Sequence, residues 1–239
     1  MESLLQIKAQ PSILSLFPKD VEFVAHSYIF DDRIEALIHY EDPNGEVPLI
    51  EIPMQLRRAP AKRKAAFIAG RVCAAHAVAQ LKGEPQVPKV GDAGQPVWPG
   101  DIVGAITHTD DYAAVIVANQ REYRGLGIDA EILLDLGEAN SLAHLILTPD
   151  EHRIKYSGFD FARFVTIAFS AKESFYKAIY PLVGHFIDFQ DVEILQVGAS
   201  SLQLVLRTEV TGDIGLNKPV AVGYAQYEQR ILTFTQLLD

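Results

Sequence analysis

Cysteine is almost absent from this sequence, since Cys73 is the one thiol in 239 residues. A single cysteine cannot form an internal disulfide, which excludes a disulfide-stapled module and favours a reducing, cytoplasmic compartment. The first residues lack the basic segment, apolar run and cleavage site of a secretory signal. Apolar runs such as Ala113 to Ala118 are far shorter than the roughly 20 residues of a spanning helix, so we expect no integral membrane segment.

Several catalytic signatures are missing as well. The histidines and the cysteine do not follow a zinc-binding spacing, and neither a G-x-S-x-G motif nor a Walker-type phosphate loop occurs. These absences argue against a zinc module, a serine hydrolase and a P-loop nucleotidase.

Acidic residues are missing from one stretch of an otherwise acidic chain. The net charge of −10 excludes a protein whose whole surface follows a nucleic acid backbone. Between Ile52 and Gly83, however, no Asp or Glu occurs, whereas seven cations do: Arg57, Arg58, Lys62, Arg63, Lys64, Arg71 and Lys82. Arg63, Phe67 and Arg71 follow one another at helical spacing, so this face can bind an anionic group. The alternative is a solvated basic helix face.

The sequence does contain a succession of strand and helix patterns without a flexible linker. A helix is predicted from about Pro60 to Gly83, and another over 161–179 that Pro181 ends. Strands are predicted around a hairpin turn at 42–45 and over 102–107, 112–118, 125–131, 192–197, 202–206, 220–227 and 231–235. This order predicts an α+β fold with helices packed on mostly antiparallel sheets.

The segment Gly127-Ile128-Asp129-Ala130-Glu131 places two carboxylates on one face of a predicted strand. Carboxylates that close repel one another unless a proton or a cation lies between them, and hard oxygen ligands suit Mg²⁺. A solvated strand end is the alternative. Gly125, Gly127 and Ala130 also satisfy a relaxed dinucleotide-binding pattern, which we reject because that motif turns from strand into helix and presents bare amides to a pyrophosphate.

The helix pattern from Phe169 to Ala178 places Glu173 and Lys177 on one face, with Lys172 beside them. An ordinary surface ion pair explains such a pattern equally well. A functional role requires that the fold bring Glu173 to the two carboxylates of the predicted strand.

His108, with Thr107 before it, follows a predicted strand. A histidine at this point can bind a metal, act as a base or donate to a phosphate, although a structural role is the commoner one.

Four sequence blocks, in this order, resemble the Sfp-type 4′-phosphopantetheinyl transferases, in particular the branch of enterobactin synthase component D. The blocks are K-R-K-A-A-F-I-A-G-R at 62–71, Q-P-V-W-P with G-A-I-T-H at 95–99 and 104–108, G-I-D-A-E at 127–131, and F-S-A-K-E-S-F-Y-K-A at 169–178. T-P-D-E at 148–151 also fits. The first and last 50 residues carry no such signature.

This resemblance implies two α/β lobes related by a pseudo-twofold axis, which we assign to 1–122 and 123–239, with coenzyme A (CoA) in the cleft between them. It implies Mg²⁺-dependent transfer of 4′-phosphopantetheine from CoA to a serine of an apo carrier protein, releasing adenosine 3′,5′-bisphosphate. The branch favours carriers of siderophore assembly. Two lobes in one chain already supply a cleft, so we expect a monomer.

The resemblance also implies roles for single residues. Asp129, Glu131 and Glu173 hold Mg²⁺, Glu173 takes the serine proton directly or through a metal-bound water, and Lys177 neutralises or protonates the departing phosphate. The residues expected to contact CoA are Arg63, Arg71, Gln95, Pro96, Thr107, His108, Asp129, Lys172 and Lys177. Gln95 stands where some members have Lys, which leaves a hydrogen bond or no contact.

Two other hypotheses belong to different functional classes. A Mg²⁺-dependent phosphohydrolase with the same carboxylates would cleave CoA or a nucleotide without a protein acceptor. A non-catalytic CoA-binding or carrier-binding protein would need a degenerate acidic cluster, yet Asp129, Glu131, Glu173 and Lys177 are all present.

Overall fold

The computed structural model describes residues 5–7, 16–28, 47, 49–156, 158–207 and 218–238. The chain divides into two compact units, Met1–Glu122 and Tyr123–Asp239. The predicted hairpin turn at 42–45 lies outside the described residues. Within them, no helix is long and apolar enough to cross a membrane.

The first unit packs one long helix on an antiparallel sheet. Its described elements are β1 (Leu5–Ile7), β2 (Glu22–Tyr28), α1 (Ala61–Lys82), β3 (Lys89–Val90), β4 (Pro96–Val97), β5 (Ile102–His108) and β6 (Tyr112–Asn119), with a 3₁₀ turn at Met54–Leu56. The sheet order is β1-β2-β6-β5, and β3 pairs with β4 in a separate small hairpin. All of these pairings are antiparallel.

Helix α1 confirms the helix predicted between Pro60 and Gly83. Gly83 closes it in the left-handed region, with φ of 87°, and donates its backbone N–H to Ala79 O. The middle of α1 consists mainly of small residues and is buried on nearly all sides. It packs on β2 and β6. The cations Lys62 and Arg63 are therefore confined to the exposed first turn.

The second unit packs two helices on a five-stranded antiparallel sheet. Its elements are β7 (Tyr123–Ile132), α2 (Leu136–Ile146), α3 (Phe161–Val183), β8 (Val192–Val197), β9 (Ser201–Leu206), β10 (Val220–Tyr227) and β11 (Arg230–Leu238), with 3₁₀ turns at Glu151–Arg153 and Phe189–Asp191. The sheet order is β7-β11-β10-β9-β8. The predicted α+β class is confirmed.

Helix α3 does not end where the sequence predicted. Asp160 accepts the Arg163 N–H and begins the helix, but Pro181 lies inside its last turn. Because the helix stops at Val183, the proline removes a single backbone donor near the end rather than interrupting the middle. Gly184, with φ of 69°, closes the helix by donating to Tyr180 O at 2.8 Å.

Candidate active site

Gly125 and Gly127 allow α3 to approach β7 until the two backbones touch. A Cβ atom on Gly127 would overlap the carbonyl oxygen of Ser174, and one on Gly125 would overlap that of Ala178. Both glycines lie in the middle of a strand and not at a strand-to-helix turn, which confirms that they are not a dinucleotide-binding motif. Side chains around this contact on the two elements are thereby brought within reach of one another.

Two pairs of buried hydroxyl groups fix α3 against β11, the strand next to β7. Ser170 Oγ lies 2.9 Å from Thr233 Oγ1, and Ser174 Oγ lies 2.9 Å from Thr235 Oγ1. Thr233 stands directly opposite Asp129 in the antiparallel register. The hydroxyl pairs therefore set the position of α3 along β7 at the level of Asp129.

Lys177 on α3 forms an ion pair with Asp129 on β7. Lys177 Nζ lies 2.7 Å from Asp129 Oδ1 and also donates to Ile128 O at 3.2 Å. Asp129 is buried, whereas 27% of the lysine side chain is exposed. Helical spacing alone paired Lys177 with Glu173, but the close packing of α3 on β7 gives the ammonium group a buried carboxylate instead.

The two remaining carboxylates hold their protons more tightly than ordinary glutamates. Burial, and then the negative charge of Asp129, raise the pKa of Glu131 to about 8, while Lys177 opposes this effect. Burial likewise raises the pKa of Glu173, against the attraction of Lys177. The fold therefore brings all four predicted residues within electrostatic range, and three acidic groups share one ammonium group.

The chemistry of this donor set fits a hard divalent cation. Asp129 and Glu173 both raise the pKa of Glu131, which is a mutual repulsion that a cation would relieve. Mg²⁺ takes one or two protein carboxylates and completes its shell with water and phosphate oxygens. Among the described residues, no group of three or more His, Cys, Asp or Glu side chains is arranged as metal ligands, so the cluster is not a preformed three-ligand cage.

Lys172 does not join this cluster, although it directly precedes Glu173. It is 1% exposed and donates to Glu151 Oε2 at 2.7 Å, Ile146 O at 2.8 Å and Phe189 O at 2.9 Å. These bonds use all three ammonium protons. Its ammonium group binds Glu151 and not the acidic cluster, so Lys172 does not act beside Lys177 as the helix pattern predicted. Its contact with CoA stays a prediction.

In the first unit, Arg63 and His108 contact one another. Arg63 Nη1 lies 3.1 Å from His108 Nε2, which joins the first turn of α1 to the end of β5. An arginine can only donate, so His108 accepts through Nε2 in this contact. The pair presents a guanidinium group beside an imidazole, and a guanidinium group is well suited to bind an anion.

Arg71 lies about two helical turns after Arg63 on α1, and its side chain is buried. Its guanidinium carbon lies 5.0 Å from the centre of the Phe67 ring, and 3% of the residue is exposed. Burial lowers the pKa of Arg71 to about 10. Its Nη1 atom has no hydrogen-bond partner within the described part of the chain, and a buried guanidinium N–H without an acceptor is a position that an anionic oxygen would satisfy.

The other predicted CoA contacts of the first unit have structural partners. Gln95 Oε1 accepts the Ala93 N–H at 3.0 Å in the β3–β4 turn, which leaves its amide N–H groups for another acceptor. Pro96 pairs with Val90 in that hairpin. Thr107 is buried near the end of β5.

Sequence reasoning missed the role of Glu151, although it noted the T-P-D-E segment. Glu151 is fully buried and accepts from Lys172, from Thr148 N at 2.7 Å and from Ile194 N at 2.5 Å. Thr148 Oγ1 in turn accepts from Glu151 N, the reciprocal pattern of a capping box. The T-x-x-E spacing could have suggested the capping box, but not the distant lysine.

Comparison with known protein families agrees with the fold and the acidic cluster. The family model described as the 4′-phosphopantetheinyl transferase N-terminal domain matches residues 52–118. The model of the 4′-phosphopantetheinyl transferase superfamily matches residues 125–224, which include all four clustered residues. The chain therefore belongs to the 4′-phosphopantetheinyl transferases, and the resemblance inferred from its sequence blocks is confirmed.

Individual relatives extend over both units. Enterobactin synthase component D of Salmonella typhi is 37% identical over 153 residues, which cover 64% of this chain and 63% of that protein. The protein of the same name from Salmonella austin is 35% identical over 196 residues, or 81% of this chain and 78% of its own length. The 4′-phosphopantetheinyl transferase PptT of Mycobacterium tuberculosis is 36% identical over 177 residues, covering 73% of this chain and 76% of PptT.

Proposed function

We propose that this protein transfers the 4′-phosphopantetheine group of CoA to a serine hydroxyl of an apo carrier protein. The observation that carries the proposal is the arrangement of Asp129, Glu131, Glu173 and Lys177 where α3 packs on β7, in a chain of this transferase family. The serine oxygen forms a new bond to a phosphorus of the CoA pyrophosphate. The bond to the leaving phosphate breaks, and adenosine 3′,5′-bisphosphate departs.

Glu173 is the proposed general base. A serine hydroxyl is a weak nucleophile until a base removes its proton, and a carboxylate whose pKa is raised toward the working pH performs this task best. The raised pKa of Glu173 supports the assignment. The proton passes to a carboxylate oxygen of Glu173 directly or through one water molecule.

Asp129, Glu131 and Glu173 would hold the Mg²⁺ ion. When bound, the ion supplies positive charge at the pyrophosphate, where negative charge accumulates during the transfer. The unbalanced charge of three carboxylates against one ammonium group supports this assignment.

Lys177 is the proposed stabiliser of the leaving phosphate. Asp129 and Ile128 take two of its three N–H groups, and the partly exposed side chain leaves the third available to a ligand. A positioned ammonium group offsets the charge of the departing phosphate oxygen and can donate a proton to it.

The basic residues of the first unit would bind the phosphates of CoA. Arg63, Thr107 and His108 suit the phosphate groups, and Arg71 suits the adenosine 3′-phosphate because its buried Nη1 needs an acceptor. Gln95 adds a neutral amide contact from the turn that ends at Pro96. We further propose that the two compact units are the two lobes expected for the family.

The carrier is proposed to be a peptidyl, aryl or acyl carrier protein. Siderophore assembly is the first pathway to examine, because several relatives are named after enterobactin synthase.

We propose a monomer, because both sets of site residues belong to one chain. We also propose a cytoplasmic location, because the single cysteine suits a reducing compartment.

The proposal is tested by incubating the protein with CoA, Mg²⁺ and an apo carrier, followed by mass spectrometry of the carrier. The carrier should gain the mass of 4′-phosphopantetheine, and a carrier whose acceptor serine is replaced by alanine should gain nothing. Consumption of CoA without a gain on any apo carrier would overturn the proposal in favour of a phosphohydrolase.

A further inference from the structure

The buried ion pair between Lys172 and Glu151 is not used by the proposed chemistry. The lysine side chain is 1% exposed and the glutamate side chain is fully buried, and they lie 2.7 Å apart. Every ammonium proton has an acceptor, and both carboxylate oxygens accept hydrogen bonds. The pair is thus fully satisfied, which a buried ion pair requires in order to persist.

These bonds join segments that are distant in sequence. Lys172 on α3 binds the last carbonyl of α2, at Ile146, and the carbonyl of Phe189 in the turn before β8. Glu151 binds the N–H of Ile194, which is in β8 itself. The pair therefore anchors the chain from Phe189 to Ile194 onto α3.

The anchored chain forms one wall of a pocket at Glu173. Lys172, Glu173 and Tyr176 of α3 line the pocket on one side. Phe189 and Val192 of the anchored chain line the other side, together with Phe186 and Asp188 just before it. Tyr176 also contacts Phe186 in an edge-to-face arrangement, with ring centres 5.9 Å apart. A shift of the wall would thus change the surroundings of Glu173.

We propose that Lys172 and Glu151 are positioning residues, whose bonds hold this wall against α3 so that Glu173 keeps its productive orientation. The inference rests on the proposed transferase function, because it assigns the wall a role in that reaction. Neither residue touches a reacting group. Their effect on the rate passes through the placement of the pocket wall at Glu173.

Glu151 is suited to this task because both of its oxygens only accept. Oε2 faces two donors, Lys172 Nζ and Thr148 N, and Oε1 faces the Ile194 N–H. A glutamine would turn its amide group toward at least one of these donors in either orientation. The three directional hydrogen bonds of the carboxylate fix the position of the wall, whereas an apolar contact has no preferred direction.

The experiment separates positioning from stability with the double variant E151L/K172M. Replacing a buried ion pair by apolar side chains of similar size often leaves stability unchanged or raises it. Here four backbone groups, at Ile146, Thr148, Phe189 and Ile194, also lose a partner, so we expect a lowered thermal midpoint. The KM for CoA should be unchanged, and the kcat for carrier modification should fall roughly tenfold to a hundredfold below that of a control variant of equal stability. Hydrogen exchange at the Ile194 amide should accelerate, since its acceptor is removed.

The control is V165A, a fully buried position two turns before Lys172 on the same helix. It should lower the thermal midpoint without changing kcat. If E151L/K172M does not fold, E151D is used instead, because it keeps the charge but shortens the side chain by one methylene group. When E151D and V165A have lost the same amount of stability, the kcat of E151D should be the lower of the two.

A double variant whose kcat equals that of V165A would overturn the proposal, as would E151D with the kcat of V165A. Failure of the transferase assignment is distinguishable, because the wild-type protein would then modify no carrier. The hydrogen-exchange result at Ile194 does not depend on that activity.

Discussion

Lys177 Nζ lies 2.7 Å from Asp129 Oδ1, and this contact joins the helix and the strand that carry the acidic cluster. It exists because glycines on β7 let the helix backbone approach. The ammonium group offsets part of the charge of three carboxylates while remaining partly exposed to a ligand. The ion pair is thus both a structural link and the proposed source of positive charge for the leaving phosphate.

Gly127→Ala should prevent this arrangement. The added methyl group would overlap the Ser174 carbonyl oxygen, so α3 must move away from β7 and Lys177 must withdraw from Asp129. We expect destabilisation of about 4 kcal/mol or more, measured by denaturant unfolding. Gly137→Ala is the matched control, because its Cβ would meet only the Oδ1 atom of Asp135, at 3.2 Å, and it should cost far less stability than Gly127→Ala. Equal stability of the two variants would contradict the proposed packing role.

Lys177→Met should destabilise the protein by about 1–3 kcal/mol, because it removes the ammonium group bound to the buried Asp129 carboxylate. The double variant D129N/K177M should recover part of this loss, since it removes the charge as well. Lys155→Met, at an exposed lysine, should not change the unfolding free energy. An additive double variant, no more stable than the sum of the single ones, would show that the pair is not energetically coupled.

The stability of the metal-free protein should depend on pH through Glu131. Its pKa rises from 4.5 to about 8 on folding, so in this interval the folded state keeps a proton that the unfolded chain has lost. The stability from this group is complete below pH 4.5 and is lost as the pH rises through about 8. Thermal midpoints measured in a chelator should fall more steeply over this interval for wild type than for Glu131→Gln. Parallel curves would contradict the raised pKa.

Arg71→Met should weaken binding of the adenosine 3′-phosphate. CoA should raise the thermal midpoint of the wild-type protein more than 3′-dephospho-CoA does, because only CoA supplies an acceptor for the buried Nη1 atom. In the variant the two ligands should act alike. The variant itself should be no less stable than wild type, since it no longer buries an unsatisfied donor. A persisting difference between the ligands would remove Arg71 from the site.

Much of the fold was predictable because its patterns are local. The end of helix α1 follows from Gly83, a residue typical of helix ends. The strands from Val192 onward follow from the periodicity of their apolar residues. The end of α3 was mispredicted at Pro181 because a proline in the last turn costs one hydrogen bond, and the capping Gly184 outweighs that loss.

The candidate site was predictable in its members but not in its pairing. Two acids in alternation on a strand necessarily share a face, and this placed Asp129 with Glu131. Nothing local indicated that Lys177 would bind Asp129, or that Lys172 would turn away toward Glu151, because these contacts depend on how closely α3 packs on β7 and on the α2–β8 connections.

The most direct test of the account measures holo-carrier and adenosine 3′,5′-bisphosphate together, for wild type and for Glu173→Gln. The wild-type protein should form the two products one for one. Glu173→Gln should slow both by about 10²–10⁴-fold with an unchanged thermal midpoint or a higher one, while Glu84→Gln, at an exposed glutamate, should act as wild type. A transfer rate near wild type in Glu173→Gln, or nucleotide release without holo-carrier, would contradict the central claim.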